Sequence, residues 1–241
     1  MNTLRINLWC GPRNVSTALM YAFAQRSDTR VLDEPLYAHY LSVSDAEHPG
    51  KQEVIDAMIS DGERVIQEVI LGPCDRPLLV MKQMAHHLVA IDRGFLAKTA
   101  NVLLIRDPQQ MLPSLAQNLT TPILRDTGLA MQSELYQQLI RLGQQPAVLD
   151  AKQVLLNPRS VLSQLCDHLA IPFTENMLQW PAGPRPEDGI WAKYWYQNVH
   201  KSTGFEPYRE KNEPFPARLL PLLAECKPHY DLLAQVAIKA K

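Results

Sequence analysis

Residues 8–17 read Leu-Trp-Cys-Gly-Pro-Arg-Asn-Val-Ser-Thr and join a strand to a helix through one tight turn. The short apolar run Ile6–Cys10 meets the turn signal Gly11-Pro12, and a helix-like stretch follows from Ala18 to Gln25. At such a junction the first helical N–H groups have no intrahelical partner, and the helix dipole adds partial positive charge. That geometry binds phosphate or sulfate. Ser16 and Thr17 supply hydroxyl donors, and Arg13 supplies a fixed cation with a planar fork of donors. The same residues also fit a plain β-turn followed by a helix capped by Asn14 or Ser16. The loop is not a Walker A motif, because it lacks the spaced second glycine and the Gly-Lys-Ser/Thr ending.

Beyond this junction the pattern alternates. Strands are expected at Ile6–Cys10, Arg30–Asp33, Leu78–Lys82, Asn101–Arg106 and Ala147–Asp150. Helices are expected at Val15–Arg26, from Pro108 to about Asn118, at 129–142, and from Pro158 to Leu169 with Asn157 as cap. Residues 51–71 carry apolar positions that suit one broken helix or two short ones around Gly62. Short aliphatic strands between helices imply an α/β fold of three layers, a central parallel sheet with helices on both faces. Ligands of such sheets bind beyond the carboxyl ends of the strands. Gly11, Asp33, Lys82, Arg106 and Asp150 should therefore gather along one edge.

The chain reads as a single domain over residues 1–241. Residues 180–216, rich in Pro, Trp, Tyr and charge, read as a long ordered loop over that edge. Residues 216–240 read as a closing helix or helix pair interrupted near Pro228. The 24 basic and 25 acidic residues nearly cancel, and no dense Lys/Arg block suggests nucleic acid as a partner. Cys10, Cys74, Cys166 and Cys226 are dispersed, without a C-x-x-C pair, which argues against zinc and disulfides and for a reducing cytoplasm. No apolar stretch approaches the roughly 18 residues of a membrane span, so no membrane anchor is expected. Composition is silent on oligomeric state.

A second segment is informative. Arg106 ends a strand, Pro108 opens the next helix, and Ser114 follows eight residues after the arginine. A strand-end Arg and a Ser on the facing helix can grip a terminal phosphate from two sides, unless the Arg pairs with Asp107. Together, Pro12-Arg13-Asn14-Val15-Ser16-Thr17 and Arg106-x-Pro108 with Ser114 resemble the sulfotransferases that use 3′-phosphoadenosine 5′-phosphosulfate (PAPS). Val148–Asp150 with Leu155, Asn157-Pro158, Val161-Leu162, Leu165-Cys166 and Leu169–Pro172 is similar to a third segment of that family. Arg185, Gly189, Trp191 and Lys193 resemble its late basic-Gly-Trp-Lys loop. The matches occur in family order over residues 4–195 and lie nearer the bacterial and carbohydrate-type branches. Arg13 stands where many members carry Lys, and Asn14-Val15 replaces Ser-Gly.

The resemblance implies sulfuryl transfer from PAPS to a hydroxyl or amine of a small-molecule or glycan acceptor, with 3′-phosphoadenosine 5′-phosphate (PAP) as product and no metal. Residues 12–17 would hold the phosphosulfate, Arg106 and Ser114 the 3′-phosphate, and residues of the 185–193 loop would cover the nucleotide. Arg13 would support the leaving group electrostatically, since Arg does not readily release its proton. Two bases compete. Glu34 follows Asp33 before Pro35, where some members place a carboxylate. His86 and His87 follow Lys82, near a position where the phenol-type branch places Lys and His. A histidine titrates near neutral pH and suits base work, whereas Glu34 would need desolvation. Trp191, Tyr194, Trp195 and Tyr196 either pack the core or stack on adenine or line the acceptor pocket. Two other functions fit the same fold, a nucleotide-dependent phosphotransferase (kinase) and a non-catalytic nucleotide-binding protein.

Overall fold

The computed structural model describes residues 3–210 and 213–241. Five strands form one parallel sheet in the order β2-β3-β1-β4-β5: β1 (Leu4–Cys10), β2 (Thr29–Asp33), β3 (Leu78–Met84), β4 (Ala100–Ile105) and β5 (Ala147–Asp150). The helices are α1 (Ser16–Ala24), α2 (Tyr37–Val43), α3 (Lys51–Ala57), α4 (Gly62–Arg64), α5 (Pro108–Leu115), α6 (Leu124–Thr127), α7 (Leu129–Arg141), α8 (Ala151–Leu156), α9 (Pro158–His168), α10 (Ala192–Trp195) and α11 (Leu220–Val236).

The strands are apolar on both faces, and their side chains alternate between two cores. Leu8 and Cys10 of β1 and Val102 and Leu104 of β4 pack with Leu19, Met20 and Phe23 of α1 and Val161, Leu162 and Leu165 of α9. Trp9, Leu103 and Ile105 point the other way, against Leu135 and Leu139 of α7 and Leu233 of α11. The result is the expected α/β sandwich. Each fully buried aliphatic side chain contributes about 1.5–3 kcal/mol, so the two cores together anchor the sheet. The β5 edge is covered by the chain end, where Ile238 N–H donates to Val148 O at 2.8 Å.

Three details depart from expectation. The closing helix runs unbroken through Pro228, whose neighbour one turn back, Ala224, is exposed, so the carbonyl that loses its partner reaches water. The expected break in 51–71 falls at Met58–Asp61, just before Gly62, but Val65–Ile70 then winds as a π-helix. Two helices next to the site, α2 and α8, had no counterpart in the reading of the sequence. Within 180–216, where residues 211 and 212 lie outside the described residues, the segment carries α10, a 3-10 turn at Val199–Lys201 and a bridge from Gln179 to Gly204.

The connections place a crevice. From β1 the chain leaves through α1 towards β2; from β4 it leaves through α5 and α7 towards β5, on the opposite side. The loops after β1 and β4 therefore diverge between adjacent strands, which is where open α/β sheets take ligands. Arg13 stands on the first loop and Arg106 on the second.

Candidate active site

The β1–α1 loop is held close by its neighbours. A Cβ on Gly11 would come within 2.5 Å of the Thr127 carbonyl oxygen, so only glycine fits there. Arg13 adopts a left-handed backbone (φ 56°), as does Glu34 (φ 44°). Each such non-glycine conformation costs about 1–3 kcal/mol, and the surrounding packing must hold it. The Asn14 side chain accepts from Ser16 N–H at 2.9 Å and reaches towards the Leu104 carbonyl. Asn14 thus closes an Asx turn just ahead of α1, and one of the amides expected to face the phosphosulfate is already engaged.

Arg13, Arg106 and Ser114 converge. Arg13 Nε donates to Ser114 Oγ at 3.0 Å, and an Arg106 guanidinium N–H donates to the Arg13 carbonyl. Asp107 does not neutralise Arg106. It caps α5 by accepting from Gln109 N–H at 2.8 Å. Among the described residues no carboxylate forms an ion pair with Arg13 or Arg106. Burial lowers the proton affinity of both guanidiniums, and the charge of Arg13 lowers that of Arg106 further. Two partly desolvated like charges thus stand side by side, a pair chemically suited to an anion.

The other end of the cavity is built around Lys82, the only buried lysine among the described residues. Its ammonium donates to Asp33 Oδ1 at 2.8 Å, to the Tyr196 hydroxyl at 2.8 Å, and to Glu34 Oε1. Burial opposes the charge on Lys82, and the two carboxylates more than restore it, so its proton is held well above the ordinary lysine range. Burial raises the Glu34 carboxyl above its usual range. The Lys82 charge works against that rise, and the Asp33 charge adds to it.

The histidines depart from the expected near-neutral titration. His86 and His87 lie in a buried 3-10 turn (Ala85–His87), and neither is on a solvated face. Tyr37 stacks on His87 at 5.0 Å between ring centroids, and Tyr40 at 4.6 Å. Burial, helped by the nearby charges of His48 and Arg125, pushes His86 down to about 3, and burial takes His87 well below its ordinary value. Such rings are weak bases.

A cavity of about 410 Å³ unites these groups. Pro12, Arg13, Asn14, Val15, Ser16 and Thr17 line it, with Arg106 and Ser114, as do Glu34, Lys82, His86, His87 and Trp191. The late loop divides. Trp191 lines the cavity, but Arg185 stacks its guanidinium over the Tyr21 ring at 5.0 Å, and Lys193 pairs with Glu53 on the surface at 2.6 Å. Gly189 N–H donates to Asp33 Oδ2 at 3.1 Å, behind the cavity wall. In their place Asn198, Val199, Ser202, Phe205 and Glu206 line the wall beyond Trp195. Sequence reading also passed over Tyr37, Tyr40 and His48. The one signal was the i, i+3 spacing of the two tyrosines, which puts them on one helical face. No helix among the described residues is long and apolar enough to cross a membrane, and no cluster of three or more His, Cys, Asp or Glu there could hold a metal ion.

A sulfotransferase from Alicyclobacillus acidocaldarius superposes with a TM-score of 0.53 at 12% identity, over 98% of this chain and 96% of that one. The sulfotransferase domain from the curacin biosynthetic pathway superposes with a TM-score of 0.58 at 18% identity, over 94% and 98%. Both show a shared fold. Two Arabidopsis thaliana proteins, named branched-chain-amino-acid aminotransferase-like proteins 1 and 2, are each 39% identical over 229 residues. Those residues are 95% of this chain and 41% of each relative, so the chain spans about two-fifths of their length. The model of the sulfotransferase domain matches residues 4–237, nearly the whole sequence, and by that match the chain belongs to the sulfotransferase domain family.

Proposed function

We propose that this chain transfers a sulfuryl group from PAPS to a hydroxyl or amine of a small-molecule or glycan acceptor, releasing PAP. The observation that carries the reading is the pair of guanidiniums, Arg13 and Arg106, that no carboxylate among the described residues ion-pairs, joined through the Arg13 carbonyl and Ser114 at the divergence of β1 and β4. A nucleotide with phosphate groups at two positions supplies the negative charge both need. The α1 N-terminus, Ser16 and Thr17 hold the 5′ end, and Arg106 with Ser114 holds the 3′-phosphate.

Sulfuryl transfer needs donor and acceptor held in line, with charge neutralised on the leaving oxygen. Arg13 supplies that neutralisation as a fixed cation. The acceptor oxygen bonds to sulfur as the sulfur–oxygen bond to the 5′-phosphate breaks. The acceptor proton goes to Glu34, whose burial raises its proton affinity into a useful range. His86 and His87, depressed by burial, line the acceptor end as neutral rings.

Isothermal titration tests the donor assignment. PAP should bind far more tightly than adenosine 5′-phosphate or ATP–Mg²⁺. Arg106→Ala should weaken PAP by about 2–3 kcal/mol, roughly 30- to 150-fold, and leave adenosine 5′-phosphate nearly unchanged. Equal losses for both nucleotides would remove Arg106 from the 3′ site, and preference for ATP–Mg²⁺ would overturn the reading.

A further inference from the structure

The three acceptors around Lys82 are not equivalent. Asp33 receives three donors: Lys82 on Oδ1, and both the Tyr196 hydroxyl (2.7 Å) and Gly189 N–H (3.1 Å) on Oδ2. Glu34 receives one, from Lys82 on Oε1. Among the described residues no donor reaches Glu34 Oε2, which lies 4.0 Å from His87 Nε2, beyond hydrogen-bond reach. The two carboxylates also open to different sides. Glu34 lines the 410 Å³ cavity, whereas Asp33 lines a separate hollow with Asp188 and Gly189. Tyr196 and Gly189 belong to the segment that covers the sheet edge. Tyr196 accepts from Lys82 while donating to Asp33, and Trp191 Nε1 donates to the same hydroxyl at 3.3 Å.

We propose that Asp33 and Tyr196 are positioning residues that tie down the Lys82 ammonium, so that Glu34 keeps one carboxylate oxygen free to take the acceptor's proton. The inference rests on the reading of Glu34 as the base. In the step, the acceptor O–H bond breaks, its proton goes to Glu34 Oε2, and the freed electron pair forms the bond to sulfur as the sulfur–oxygen bond to the 5′-phosphate breaks and its electron pair leaves on PAP. Lys82 keeps its own proton throughout. The covering segment is then part of the proton-accepting apparatus as well as a roof. Its docking through Tyr196 and Gly189 fixes which carboxylate Lys82 satisfies.

The groups facing Glu34 are Asp33 on its own strand end, Lys82 from β3, His87 from the 3-10 turn, Tyr37 from α2, Tyr196 from the covering segment, and Cys10 from β1. Of these, Asp33 and Lys82 act on Glu34 through their charges, and the two influences oppose each other. Two substitutions therefore separate them. Asp33→Asn removes a neighbouring negative charge and leaves Lys82 to Glu34 alone, which favours the ionised glutamate. Tyr196→Phe removes an acceptor from Lys82 and a donor from Asp33; Asp33, left with Gly189 N–H alone on Oδ2, becomes the stronger acceptor of the ammonium, and Glu34 is less compensated. The two variants should move Glu34 in opposite directions. A merely structural contact would not produce that pattern.

The test is titration of Glu34 followed by NMR of isotope-labelled glutamate carboxyls, with Glu34→Gln assigning the resonance. It needs neither sulfuryl donor nor acceptor. Asp33→Asn should lower the Glu34 midpoint by at least about 1 pH unit, and Tyr196→Phe should raise it. An unmoved midpoint in Asp33→Asn, or shifts of the same sign in both variants, overturns the inference. If Asp33→Asn does not fold, Tyr196→Phe decides alone: a rise supports the proposal, and no change or a fall overturns it. PAP binding to the wild type is measured separately. Its failure would sink the donor assignment and leave the titration result standing. An unmoved Glu34 would leave the donor assignment standing.

Discussion

His86 shows how burial overrules residue type. An imidazole in an unfolded chain titrates near 6.5, whereas the one in the folded chain is pushed to about 3. Below about pH 6.5 the unfolded chain therefore binds a proton that the folded chain refuses. Stability from this group is complete above about pH 6.5 and is lost as pH falls towards the folded value. The slope approaches about 1.4 kcal/mol per pH unit for each such group. Denaturant unfolding of the wild type should weaken more steeply between pH 7 and pH 5 than unfolding of His86→Asn. Glu34, raised in the fold, acts in the opposite sense, but it is present in both proteins and cancels in the comparison. Equal slopes would mean that His86 titrates as an ordinary exposed histidine. The sequence could not reveal this, because adjacent histidines after a strand carry no mark of the Tyr37 and Tyr40 rings that enclose them.

The β1–α1 junction owes its shape to contacts from distant elements. Gly11 faces the Thr127 carbonyl at the end of α6, and Gln132 of α7 donates to the Trp9 and Leu104 carbonyls, bridging β1 and β4. Gly11→Ala should push the loop off Thr127, destabilise the fold by about 1–3 kcal/mol and weaken PAP at least severalfold. Calorimetry reads both, and a variant with wild-type affinity would show that the loop tolerates displacement. The strands were legible because buried parallel strands are unbroken apolar runs, and their ends misread where polar residues extend them. Gln83 and Met84 continue β3 past Lys82, and Leu4 and Arg5 begin β1 early. Helix α8 was missed because Asp150 was read only as a strand end. Its side chain accepts from Lys152 N–H at 2.7 Å and starts the helix at once. Helix α2 was hidden behind Pro35, because a residue before proline favours extended backbone, whereas Glu34 is left-handed (φ 44°) and the helix starts at Tyr37. Arg13, Arg106 and Ser114 were legible as a set because motif spacing survives divergence. Asp33 and Lys82 were legible as neighbours on one edge, but Tyr196 was not, since it lies on a segment more than a hundred residues later.

At the scale of the molecule, that later segment closes the cavity with little regular structure of its own. It is fastened by Tyr21 to Asp188 at 2.6 Å, by Gly189 and Tyr196 to Asp33, and by the Gln179–Gly204 bridge. Trp191, Ala192 and Tyr196 are also buried against Tyr37, Tyr40 and Val54, yet a segment with little regular structure opens at lower free energy than the strands of the sheet. A ligand that binds only the closed form stabilises it by about 2.7 kcal/mol at 100 times its Kd. Asn198, Val199, Ser202, Phe205 and Glu206 line the same cavity as the β1–α1 loop, so a nucleotide seated there touches both. Hydrogen exchange with saturating PAP should then slow together in residues 11–17, 106–115 and 196–206, three stretches far apart in sequence. Tyr196→Phe should raise exchange in the last stretch without ligand and leave β1 and β4 unchanged, because those strands are held by the two cores. Protection confined to residues 11–17 would mean that the covering segment does not meet the nucleotide. Adenosine should then bind as tightly with residues 196–206 open as with them closed.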